Sequence, residues 1–138
     1  MPVIDVFAKV SDHLIDGMMM HEQMADYYNF LGLDGFKRLH EYHFFCETIS
    51  MRRIHRYFVD HCNQLLPMAN TKHIDVIPVE WSNFTRQAVE SETKSKAVET
   101  GMREWCKWEH ETKELYAKSA KDLYDAGEVA AAHMICEL

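Results

Sequence analysis

Apolar residues recur every three or four positions along most of this chain, and almost nothing interrupts them. Only 5 Gly and 3 Pro occur in 138 residues, and Pro2, Pro67 and Pro78 avoid the long periodic stretches. A chain so poor in breakers cannot be divided into the many short strands and turns of a β fold. The predicted class is all-α. A hydrophobic content of 47% excludes a disordered protein and suffices for one domain, 1–138, with a core of its own.

The first segment, residues 3–31, places Val3, Phe7, Val10, Leu14, Met18, His21, Ala25 and Tyr28 on one helical face, and Gly32 supplies a stop. The second, residues 34–66, opens at Asp34, a candidate cap, and ends before Pro67. Its inward line runs through Phe36, His40, His43, Glu47, Ser50, Ile54, Phe58, His61 and Leu65, with Arg38, Arg52, Arg53 and Arg56 opposite. The link between the two is so short that an antiparallel hairpin is expected. Residues 68–79 read as a loop, and its β-like stretch KHIDVIP has no partner strand, so it is expected to be an extended crossover.

The third segment, residues 80–125, carries Trp81, Phe84, Ala88, Val98, Met102, Trp105, Glu109, Thr112, Tyr116, Ser119 and Leu123 on its line. The frame passes Gly101 without slipping, which favours one long or kinked helix over a break at Thr100–Gly101. Ala126 and Gly127 end it, and residues 128–138 form a short fourth helix.

Charge and cysteine usage narrow the setting. The formal net charge is −7 with no basic tail, which argues against a nucleic-acid partner. None of the four cysteines forms a C-x-x-C pair, so a zinc knuckle or a thioredoxin motif is not expected, and a reducing, cytoplasmic location is. Charged residues interrupt any leading apolar run, and no stretch is long enough for a membrane span.

Two carboxylates fall on lines that ought to be apolar, Glu47 and Glu109. An ionised carboxylate in a core costs several kcal/mol unless it is paired or metal-bound. A base, a Tyr or Trp hydrogen bond, a subunit interface or a metal could each compensate. His43 lies one turn before Glu47, the spacing that points two ligands the same way, and His40 lies a further turn back. Helical bundles build carboxylate-bridged two-metal centres from such positions, with oxygen and nitrogen donors that suit iron or manganese.

The stretch HEQMADYYNFLGLDGFKRLHEYHFFCETISMRR (residues 21–53) resembles the first two helices of the ferritin-like superfamily (ferritins, bacterioferritins and Dps proteins), and WEHETKELYAKSAKDLYDAGEVAAAH (residues 108–133) resembles its third helix and the turn into the fourth. The resemblance implies a ferritin-like four-helix bundle with one long crossover and a short fourth helix. It matches Glu22, Glu47 and Glu109 to the family's metal-binding glutamates, and His43 is the added candidate. It implies a di-iron centre that oxidises ferrous iron, in a homo-oligomer. The sequence departs from the pattern where the family has His three residues after the second-helix glutamate, since Ser50 stands there, and only Glu128 and His133 are candidates on the fourth helix. A Dps-like DNA protector is disfavoured, because no Lys-rich extension is present. The competing expectations are a bundle without metal that acts in assembly or protein binding, and a helical module of other ancestry.

Overall fold

A computed structural model describes residues 3–66 and 90–138. The described residues are helical apart from turns and ends: α1 Val3–Phe30, α2 Asp34–Cys62, α3 Ser91–Asp125 and α4 Val129–Cys136. The expected crossover at 68–79 and the start of the third segment at 80–89 lie outside them. Among the described residues no helix is long and apolar enough to cross a membrane.

The helix ends follow local chemistry. Gly32 at φ 71° and Gly127 at φ 82° adopt the left-handed conformation that lets a helix stop and turn. At the first, Leu33 N–H donates to Tyr28 O (2.8 Å) and Gly32 N–H to Asn29 O (3.1 Å). At the second, Glu128 N–H donates to Leu123 O (2.9 Å) and Gly127 N–H to Tyr124 O (3.0 Å). Both are the paired-bond C-terminal motif that satisfies orphan carbonyls. Three boundaries differ from expectation, the first being α3, which begins at Ser91 after an extended Glu90 and so is not continuous from residue 80. Asp34 lies within the first turn of α2, after Leu33 at the cap position, and favours the helix through its dipole. The end of α2 comes at Cys62, not Leu66, because Asn63 takes the left-handed conformation at φ 51°.

Contacts between α1 and α2 pair residues in opposite order: Phe7 with Tyr57 and Phe58, His21 with His40, Tyr28 with Phe36. This is the expected antiparallel hairpin. Contacts of α1 with α3 run the same way, His13 with Thr112 and Tyr28 with Ala97. Helices α2 and α3 therefore share one direction, opposite to α1. The close approach of α1 and α3 rests on two glycines. A Cβ on Gly17 would fall inside contact distance of the Trp108 ring, and one on Gly101 inside contact distance of Tyr28 Oη and Met24 Cε. Gly101 thus sits within a continuous α3, where it admits the α1 side chains and makes no break.

Among the described residues, two apolar clusters fill the interior. One joins Phe7, Val10, Leu14, Ile54, Phe58, Leu123 and Ile135; the other joins Met20, Met24, Tyr28, Leu31, Ala97 and Trp108. The stretch of α2 from His40 to Ser50 lies between Phe36 in the second cluster and Met51 and Ile54 in the first.

Candidate metal centre

The polar residues at this junction come from three helices. Helix α1 supplies His21, and α2 supplies His40, His43 and Glu47 at spacings of three and four, so their side chains share a face. His21 and His40 are both fully buried. Their Nδ1 atoms lie 2.9 Å apart, and the Nε2 of each is buried without a hydrogen-bond partner among the described residues. One ligand atom each from His21, His43 and Glu47 lies within 4.8 Å of the other two, a group able to hold a metal ion.

Helix α3 covers the group. The Trp105 ring packs against His43 (4.4 Å between centroids), His40 (5.3 Å) and His21 (5.5 Å). Its Nε1–H donates to Glu109 Oε1 at 3.0 Å. One turn on, Trp108 stacks on His13 at 4.7 Å. Thr112 donates its hydroxyl proton to Trp108 O at 2.7 Å, so its oxygen can only accept from His13 Nε2–H at 2.6 Å. That pair of bonds fixes the His13 tautomer.

Electrostatics set the group apart. Burial, and then the charge of Glu109, raise the Glu47 carboxyl to about 7. None of the ion pairs among the described residues involves Glu47. Burial followed by repulsion from neighbouring imidazoles lowers His21 to about 3 and His40 to about 4. Burial also lowers His43, against an opposing pull from Glu109. Tyr116 is held firmly protonated by burial and by the charges of Glu47 and Glu109. At neutral pH the histidines are bare bases and Glu47 is about half protonated, a set that can exchange protons for a cation.

Glu47 and Glu109 both border one cleft of about 320 Å³, together with Cys46, Ser50, Lys113 and Tyr116. The two carboxylates thus face a common space, as the paired reading of α2 and α3 requires. Their burial differs. Glu47 is partly buried, whereas Glu109, expected mid-core, is exposed. The reason is the line that α3 buries, which runs through Ala97, Gly101, Trp108, Thr112, Ser119 and Leu123. The large Trp108 turns inward against Gly17 and leaves Glu109 at the margin, held by Trp105. Glu22, the expected α1 ligand, is exposed and lies outside the ligand group; the inward position belongs to the preceding residue, His21. Glu128 and His133 are exposed, and the charge of Glu128 acts on Tyr57, which packs at the other core cluster.

His21 is the ligand candidate that sequence reasoning missed. Its position on the apolar line of α1 was the signal, since a histidine there must be buried and needs partners. Comparison of the chain with protein-family models, curated proteins and solved structures returns no match.

Proposed function

We propose that this chain is a ferritin-like helical protein that takes up ferrous iron through His21, His43 and Glu47, with Glu109 as the next carboxylate in reach. The observation that carries the reading is the grouping of three ligand atoms within 4.8 Å of one another. Two imidazoles and one carboxylate leave coordination positions open, a donor set that suits Fe(II). The common direction of α2 and α3 supports a four-helix bundle with one long crossover. Ferrous iron is the substrate in this reading: each ion gives one electron to dioxygen, which reaches it through the cleft beside Glu47, and becomes ferric. Glu47 releases its proton as the cation arrives, and Glu109 supplies a second negative charge from the rim. Four free thiols suit a reducing, cytoplasmic setting.

Metal analysis of protein purified without chelator, followed by anaerobic iron titration, tests the proposal. Glu47→Ala and His43→Ala are expected to weaken binding at least about 100-fold, and Glu109→Ala roughly tenfold, the low end of what an outer group costs. Protein isolated without metal, with titrations unchanged by all three substitutions, removes the iron reading.

A second reading, assembly of several copies, is favoured by one observation. Tyr42, Phe45 and Ile49 follow each other at helical spacing on α2 and are 64%, 62% and 59% exposed. Such a stripe on a small domain marks an interaction surface. The solution mass from light scattering at micromolar concentration is expected to exceed one chain, and a monomer counts against assembly.

A further inference from the structure

His40 lies outside the group of ligand atoms formed by His21, His43 and Glu47, so its contact with His21 has some other role. Two imidazole nitrogens 2.9 Å apart form one hydrogen bond, which needs one N–H and one bare nitrogen. Two arrangements meet that condition. In the first, His21 donates from Nδ1 and its Nε2 is bare. In the second, His40 donates and the Nε2 of His21 carries a hydrogen that bars it from a metal. In both, Nδ1 of His21 is occupied, so Nε2 is the only nitrogen through which His21 can join His43 and Glu47. That atom is buried and, among the described residues, has no donor to satisfy it. A ligand imidazole characteristically donates its other N–H to a fixed acceptor, which sets the tautomer and aims the ring.

We propose that His40 is a positioning residue: it accepts the Nδ1 proton of His21 and holds Nε2 of His21 bare and aimed at a metal ion shared with His43 and Glu47. The inference rests on the metal reading above. His40 is itself locked in place, since Tyr28 and Trp105 pack against its ring, each with centroids 5.3 Å away. Its own Nε2–H then has no conventional acceptor, and the aromatic faces around it offer only a weak one. A buried donor without an acceptor costs free energy and calls for an explanation, which a positioning role supplies.

Nitrogen NMR of ¹⁵N-histidine-labelled, metal-free protein reads the tautomers directly. His21 is expected to be protonated at Nδ1 and His40 at Nε2, and the reverse pair overturns the proposal. Zinc titration by calorimetry supplies the second readout. His40→Gln, whose amide oxygen still accepts from His21, is expected to bind zinc within about threefold of the wild type, and His40→Phe, a ring without an acceptor, roughly 10- to 100-fold more weakly. Wild-type affinity in His40→Phe overturns the proposal. If wild type binds no zinc and the tautomers are as stated, the metal reading fails while the fixing of His21 by His40 holds. If His43→Ala abolishes binding and His40→Phe changes nothing, the metal reading holds and His40 has no part in it. Should the variants fail to fold, the wild-type tautomers decide.

Discussion

Glu47 and the histidine pair make the metal-free protein sensitive to pH in opposite directions. Glu47 has a folded pKa raised to about 7, so between its ordinary value and 7 the folded state keeps a proton that the unfolded chain gives up. Its contribution is lost as pH rises through that window and is level above it. His21 and His40 have folded pKa values lowered to about 3 and about 4. Below the ordinary histidine range the unfolded chain takes up protons that these rings refuse, so their contribution is present at neutral pH and lost on acidification. Where the windows overlap, two histidines outweigh one carboxylate. Thermal unfolding in chelator is expected to give maximal stability near pH 6.5, a steep fall on the acid side and a shallow one toward pH 7.5. Glu47→Gln is expected to remove the shallow fall and to stabilise the metal-free protein at pH 8 by roughly 1–2 kcal/mol, discounted because water still reaches part of the side chain. A Glu47→Gln profile that overlays the wild type would show that Glu47 is an ordinary solvated carboxylate.

At the scale of elements, α1 and α2 were legible because both hide a regular stripe and because Gly32 marks the turn between them by chemistry that leaves little choice, as Gly127 does after α3. Much less of α3 could be read. Its periodic line was drawn through the large residues Met102, Trp105 and Glu109, whereas the helix buries Ala97, Gly101 and Trp108. Small residues at a close helix crossing score as neutral in a hydrophobic pattern, yet they decide which face turns inward. For the same reason Glu22 was preferred to His21: the resemblance pointed to a carboxylate, and the α1 stripe pointed to its neighbour. The crossing itself can be tested. Alanine at an exposed helix glycine adds up to about 1 kcal/mol of helix propensity. Gly17→Ala would instead drive a methyl into the rigid Trp108 ring, so a net loss of roughly 1–3 kcal/mol is expected, with a changed Trp fluorescence spectrum. Gly101→Ala should cost a similar amount: Met24 Cε can yield, but the hydroxyl of the buried Tyr28 ring, bonded to Ala97 O, cannot. Equal or greater stability of Gly17→Ala would mean that α1 and α3 do not cross there.

For the molecule as a whole, the polar group lies where two apolar clusters meet, bound to the helices on each side by Ser11 with His55 (2.9 Å), His13 with Thr112 and His21 with His40. The helical class was legible from the scarcity of breakers; of the two carboxylates expected mid-core, Glu47 is partly buried and Glu109 lies exposed at the rim of the cleft they share. A core that buries two imidazoles forgoes apolar contacts it could have made, and the folded state recovers that loss only when something binds the bare nitrogens. The metal-free protein should therefore be of modest stability, and a bound cation should act on the global unfolding transition and not on one loop, because His21, His43 and Glu47 tie α1 to α2 at mid-length. By mass action, an ion at 100 times its dissociation constant raises the unfolding free energy by about 2.7 kcal/mol. Calorimetry with ferrous iron under anaerobic conditions, or with zinc, is expected to show a single transition moved up by several degrees. Glu47→Gln should lose that rise while gaining stability without metal, so the two traces cross. A transition indifferent to metal in both proteins would leave the buried histidines as packing alone.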